Sequence, residues 1–177
     1  MKHVPRVCPV MQGEYRVSDE PDLMMTTTLG SCVAACLFDG QNGLGGMNHF
    51  LLPDRPGSPE GSEGALHRYG VHLMELLVNG LLTSGASRVH LQAKVFGGAC
   101  ITSGLTDAGA RNAAFIEHFL RHEGIPLVGG SLRGKRGRRV QFWPVSGRAR
   151  QMLCDPMEVA PLRASVGSAE HGEVELF

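Results

Sequence analysis

A mixed α/β or α+β fold, built in layers, is what this sequence predicts, and three observations carry that reading. Two stretches, from Ala65 to about Thr83 and from about Ala110 to His122, place apolar residues three and four apart, the period of an amphipathic helix. Several shorter stretches either alternate apolar with polar or run apolar between turn clusters, as strands do. The two kinds of element interleave along the chain, which favours layers over an all-α or all-β fold.

Taken in order, residues 1–13 read as an irregular lead-in and "EYRVSD" as a short strand. Met24 to Leu29 is rich in β-branched threonine and reads as extended. The apolar run 33–38 and the segment 44–52 flank the turn cluster "DGQNG" and form a β-hairpin. "DRPGSPEGSEG" (54–64) is a polar loop. The first helix follows, carrying Leu66, Tyr69, Leu73, Leu77 and Leu81 on one face. In "RVHLQAKVF" (88–96), Val89, Leu91, Ala93 and Val95 share one face and His90, Gln92 and Lys94 the other, a half-buried strand. The second helix buries Ala113, Ile116, Phe119 and Leu120, with Gly124 and Pro126 as its stop signals. "IPLVGG", "RRVQFWPV" and "RARQML" read as three more strands. Residues 1–155 are expected to form one domain, and 156–177 an irregular tail.

Bulk composition narrows function. Of 177 residues, 42% are hydrophobic and 19% charged, and 17 basic residues balance 17 acidic ones. No net field argues for nucleic acid or a membrane surface. No apolar run approaches the roughly 20 residues that span a bilayer, and the N-terminus lacks the apolar stretch of a secretory signal. A cytoplasmic protein is the expectation. The five cysteines are odd in number and scattered, which does not fit a disulfide framework.

One cysteine stands apart. Cys32 follows Leu29-Gly30-Ser31 at the start of the hairpin. With Asp39 to Asn42 as the loop, Phe38 pairs with Gly43 and Cys32 lies opposite His49. Directly opposed residues hold their Cβ atoms about 4.5–5.5 Å apart, within reach for a thiol–imidazole pair that yields a nucleophilic thiolate. Gly30 and Ser31 offer backbone N–H groups to a developing oxyanion. Thr26, Thr27 and Thr28 lie just upstream, and one of their hydroxyls can orient His49. A metal site built on Cys32, Cys36 and His49 fails on reach: on a strand the two cysteines stand roughly 13 Å apart, too far for one zinc. The basic run "RGKRGRR" (133–139) reads as a solvated loop, with docking onto an acidic partner surface as its sharper meaning and nucleic acid the weaker one.

"TTTLGSCVAACLFD" followed by "GGMNHFLLP", then "YGVHLMELLVNGLLTSGASRVHLQAKVFGGA", "GARN" and "RGRRVQF", resembles the CheD family of chemoreceptor glutamine deamidases over about residues 13–150. The resemblance implies a layered sandwich of mixed β-sheet with flanking helices, similar to the catalytic domain of the cytotoxic necrotizing factor toxins. It implies hydrolysis of glutamine side chains on chemoreceptor cytoplasmic domains to glutamate, with release of ammonia and no cofactor. The family's cysteine matches Cys32, its histidine His49 and its threonine Thr26. The CheC phosphatase is a further partner in some bacteria. Transglutaminase, cysteine peptidase and a non-catalytic adaptor for receptor or CheC are the alternatives. The basic loop at Ser131 to Lys135 departs from the family pattern.

Overall fold

A computed structural model of the chain describes residues 5–53, 61–101, 107–154 and 174–177. One mixed sheet holds, in order of adjacency, β1 (Arg6–Pro9), β3 (Leu23–Leu29), β8 (Gly137–Trp143), β9 (Arg148–Cys154) and β10 (Val174–Leu176). The second holds β2 (Tyr15–Ser18), β5 (Leu44–Phe50), β4 (Val33–Asp39), β6 (Gln92–Gly97) and β7 (Leu127–Leu132). Helices α1 (Gly61–Thr83) and α2 (Ala108–His122) cover the outer face of the second sheet. The layers are therefore sheet, sheet, helices, as the α+β expectation has it.

Strand β4 shows why the layers hold together. It is buried along its length, and its residues alternate between two cores. Val33, Ala35 and Leu37 point to the helices, among Phe50, Met74, Leu77 and Ile116. Ala34, Cys36 and Phe38 point to the first sheet, among Met25, Leu29, Met47, Phe96 and Phe142. A strand buried on both faces has no polar alternation to display, which is why it reads as an unbroken apolar run.

The hairpin of β4 and β5 exists, but its register differs from the expected one. Asp39 pairs with Leu44 and Ala34 with His49, so the loop is Gly40 to Gly43. Asp39 ends the strand because its carboxylate accepts from the N–H groups of Gln41 (3.0 Å) and Asn42 (3.1 Å) and from the Asn42 side chain (2.6 Å). It also accepts from Ser87 N–H at 2.8 Å, which ties the hairpin tip to the segment after α1. A shift of two residues keeps every side chain on its face, whereas a shift of one would reverse them all.

Other differences have local causes. Arg88–His90 is a turn of 3₁₀ helix, so Val89 points outward and is 86% exposed instead of joining the strand's buried face. The lead-in contains β1, which pairs in parallel with β3. The tail is not irregular at its end: β10 pairs with β9, and Phe177 stacks edge-on against Phe96 at 5.6 Å in the inter-sheet core. Most of the loop 54–64 and residues 155–173 lie outside the described residues; Gly61 to Gly64 open α1.

Candidate active site

Residues Gly30 to Cys32 carry the chain from β3 in the first sheet to β4 in the second. Cys32 therefore stands at the crossing, half-buried, just before the first residue of the central strand β4. Three bonds hold the crossing. The carbonyl of Gly30 accepts from Ala99 N–H (2.9 Å), that of Ser31 from the Asn112 side-chain amide (2.8 Å), and that of Cys32 from Gly98 N–H (2.8 Å). In a planar trans peptide the C=O and the following N–H point opposite ways. With these carbonyls turned towards α2 and the Gly97–Gly98 turn, the N–H groups of Ser31 and Cys32 face away from them. Backbone N–H groups turned the same way are the kind of donor that can receive an oxyanion. Gly30 enters the crossing without a left-handed turn.

Two glycines make the close approach possible. A Cβ on Gly97, whose φ is +109°, would meet the Cys32 carbonyl oxygen at 2.1 Å. A Cβ on Gly109, in the first turn of α2, would meet the Ala99 carbonyl oxygen at 2.4 Å. Asn112 of "GARN", fully buried, then bridges Ser31 O and, through its own oxygen, Leu52 N–H at 3.0 Å. The asparagine of "GARN" is thus the clamp of the crossing.

His49 lies opposite Ala34, on the face that Ala34 and Cys36 share, so it is a diagonal neighbour of Cys32 and not its direct partner. Diagonal pairs remain within reach of long side chains. The imidazole is 8% exposed. Its Nδ1 is 2.8 Å from Thr27 Oγ1, and Thr27 Oγ1 donates to the Val10 carbonyl, also at 2.8 Å. A hydroxyl has one proton. With that proton given to Val10, Thr27 accepts from His49, which places the imidazole proton on Nδ1. Nε2 then carries a lone pair, and it is buried without a hydrogen-bond partner.

Thr27, not Thr26, is the threonine that the structure sets against His49. On β3 the odd positions Leu23, Met25, Thr27 and Leu29 are buried, with Leu23, Met25 and Leu29 in the inter-sheet core. Thr26 points the other way: its hydroxyl donates to the Val140 carbonyl at 2.9 Å and its own carbonyl accepts from Val10 N–H. The alternation of Leu, Met, Thr and Leu at odd positions was the available signal.

Electrostatically the pair rests neutral. Burial pushes the Cys32 thiol above its ordinary value, against the opposing pull of its own backbone N–H. Burial likewise pushes the His49 imidazole down, with a smaller opposing contribution from the Val10 backbone. This differs from the expected resting thiolate, because neither group touches the other's charge; Sγ donates instead to Gln12 Oε1 at 3.7 Å.

The other cysteines keep to packing or surface roles. Cys36 is fully buried and its thiol is held far above the usual range by burial. No cluster of metal-ligating side chains occurs among the described residues. The basic run is partly internal wiring: Arg133 forms a two-pronged pair with Glu117 (2.9 and 2.8 Å), and Arg138, 2% exposed, donates to Ser131 and Arg133. No helix among the described residues is long and apolar enough to cross a membrane.

Comparison with known proteins agrees with the fold and extends it. A crystal structure of a Neisseria meningitidis protein of the DUF152 family superposes with a TM-score of 0.50, over 79% of this chain and 76% of that one, at 10% identity. That likeness concerns fold alone. Curated relatives carry the name "Probable chemoreceptor glutamine deamidase CheD". One from Acidiphilium cryptum (strain JF-5) is 55% identical over 174 residues, 95% of this chain and 92% of its own length. One from Caulobacter sp. (strain K31) is 54% identical over 173 residues, 95% and 91% of the two chains. One from Rhizobium leguminosarum bv. trifolii (strain WSM2304) is 59% identical over 142 residues, 80% and 77% of the two chains. A family model described as CheD chemotactic sensory transduction matches residues 51–152, a span that begins after Cys32 and His49. With more than half of the chain matched and close relatives along most of its length, this chain belongs to the CheD family.

Proposed function

We propose that the protein is a glutamine deamidase, an amidohydrolase that converts glutamine side chains on the cytoplasmic parts of chemoreceptors to glutamate and ammonia. The single observation that carries this reading is the buried, unpartnered Nε2 of His49, held in the basic tautomer by Thr27 on the face of the sheet that leads to Cys32. The names of relatives 54–59% identical supply the substrate class.

The chemistry follows from the groups present. Nε2 takes the proton of the Cys32 thiol as the substrate carboxamide arrives. The sulfur lone pair forms a C–S bond to the amide carbon, and the C=O π pair moves onto oxygen. N–H groups of Ser31 and Cys32 receive that oxyanion. Collapse re-forms C=O and breaks C–N, and the imidazolium gives its proton to the departing ammonia. Water, deprotonated by Nε2, then attacks the thioester, and Cys32 leaves to recover its proton. The sum is amide plus water to acid plus ammonia, with no redox change.

Incubating a chemoreceptor cytoplasmic fragment with wild-type and Cys32→Ala protein tests this. The expected result is the amide-to-acid mass gain on intact fragment with wild type only. Backbone cleavage would indicate a peptidase, and incorporation of an added primary amine a transglutaminase. The adaptor reading, binding receptor or the CheC phosphatase without catalysis, predicts no mass change with either protein.

A further inference from the structure

The loop between β1 and β2 takes no part in the expectations drawn from sequence, yet it closes over the site. Val10 is held on both sides: its N–H donates to Thr26 O (2.9 Å) and its carbonyl accepts from the Thr27 hydroxyl (2.8 Å). Gly13 N–H donates to the His49 carbonyl at 2.7 Å, and His49 N–H to the Glu14 carbonyl at 3.1 Å. Glu14 closes the loop on itself, its carboxylate accepting from Met11 N–H at 3.1 Å. Gln12 therefore sits between anchors on either side, both tied to residues of the Thr27–His49 pair. Its side chain, exposed to solvent, ends with Oε1 3.7 Å from Cys32 Sγ.

A carboxamide is an unusual neighbour for a nucleophile because it can present either an acceptor or a donor. Its oxygen and nitrogen ends have nearly the same shape, and half a turn about the last bond exchanges them. Against a neutral thiol the oxygen is the right end, since S–H has a proton to give. Against a thiolate it is the wrong end, and Nε2 must turn in. The same N–H then lies beside the sulfur at the moment the substrate oxygen becomes negative. On the proposed mechanism, backbone donors at Ser31 and Cys32 serve that oxygen from the β3–β4 crossing, and Gln12 approaches from the β1–β2 loop, another connection between the two sheets.

We propose that Gln12 is a catalytic residue of this site, a side-chain donor that turns its amide N–H to the Cys32 thiolate and then to the oxyanion of the tetrahedral intermediate. No bond is made or broken to Gln12 itself: it lends a hydrogen bond while the C–S bond forms and again while the C–N bond breaks. The assignment rests on the deamidase reading above and names a residue of that same site.

Two measurements on wild-type, Gln12→Ala and Gln12→Glu protein test it. The first is turnover of a chemoreceptor cytoplasmic fragment, read as ammonia. The second is alkylation of Cys32 by iodoacetamide, a reaction that forms no oxyanion. Loss of one oxyanion donor typically costs roughly 10²–10³ in kcat. Gln12→Ala is expected to lose about 10²-fold in kcat with KM little changed, and to alkylate within a few fold of wild type at high pH. Gln12→Glu, which brings an acceptor and a negative charge, is expected to fall further and to shift the pH midpoint of alkylation upward. Wild-type turnover with undiminished turnover in Gln12→Ala overturns the assignment alone. Equal loss of turnover and of alkylation shows a structural role and also overturns it. A wild-type mass gain at Gln12 that Cys32→Ala abolishes would make Gln12 a substrate and overturn its role as donor. A wild type that turns over no fragment removes the deamidase reading and this assignment with it.

Discussion

Thr27 Oγ1 lies 2.8 Å from His49 Nδ1, and the two residues belong to different sheets. Because the hydroxyl proton is given to Val10, this contact decides which nitrogen of His49 is basic. Thr27→Val should therefore lower kcat by about 10–100-fold, a share of the roughly 10²–10⁴ that a positioned acid–base group supplies. Thr27→Ser should retain most activity, and Thr26→Val should affect stability more than rate, since its hydroxyl serves the β8 backbone. Nitrogen chemical shifts of the His49 ring would check the cause: the Nδ1–H tautomer should dominate in wild type and lose its dominance in Thr27→Val.

The pH dependence has two parts with definite signs. Burial holds the His49 imidazole below its ordinary value, so the acid limb of kcat/KM should fall below pH ~6.5, the usual imidazole midpoint. Burial raises the Cys32 thiol, so alkylation of the free enzyme should rise with pH later than for an unperturbed cysteine near ~8.5. His49 also links to stability. An unfolded chain binds the proton more readily than the folded one, so stability is full above the unfolded imidazole pKa and declines as pH drops from there towards the folded value. Thermal melts of wild type and His49→Gln between neutral and mildly acid pH should diverge in that sense.

Asn112 should prove essential to the crossing. Asn112→Leu strands Ser31 O and Leu52 N–H, both of which it now satisfies. Leaving buried backbone groups unpaired costs about 1–3 kcal/mol each, so a loss of about 2–6 kcal/mol is expected by urea denaturation. Activity should fall even where the protein remains folded, because Ser31 O fixes the direction of the Cys32 N–H.

Asp39 gives a prediction remote from the site. Burial alone would push its carboxyl up, but N–H groups of Ser87, Asn42 and Gln41 and the Asn42 side chain outweigh that and hold it at about 2. Its contribution is present above the ordinary carboxylate range and is lost as pH falls towards that value. Asp39→Ala should cost about 2–4 kcal/mol, in line with losing several hydrogen bonds to a charged group. It should also blunt the fall in stability that wild type shows on acidification, which equilibrium melts can read.

What the sequence made legible was whatever depends on local pattern. Both helices, the hairpin strands and the buried set Ala113, Ile116, Phe119 and Leu120 follow from periodicity alone. That Cys32 and His49 lie towards one face was legible because a hairpin fixes which residues share a face, even when its register is off by two. Thr27 was visible only as one of three hydroxyls, and the family likeness pointed one residue away from it. Asn112 and Gln12 were not legible in this role at all. Each meets its partner through tertiary contacts, Asn112 across 81 residues of chain and Gln12 across 20, and no local period records such meetings. The strand at Val174–Leu176 was missed for the same reason: three residues carry no period, and pairing with β9 makes them a strand.

The crossing from β3 to β4 has a consequence for how the protein comes into being. The threonine that sets the tautomer stands on one layer and the histidine that it sets stands on the other, with the thiol on the thread between them. Neither half has chemistry alone. On the proposed mechanism, a chain whose two layers have not yet closed holds Cys32 without the Thr27–His49 pair, so the assembled site exists only once the sandwich has formed. Enzymatic activity is, for this fold, a direct readout of completed folding.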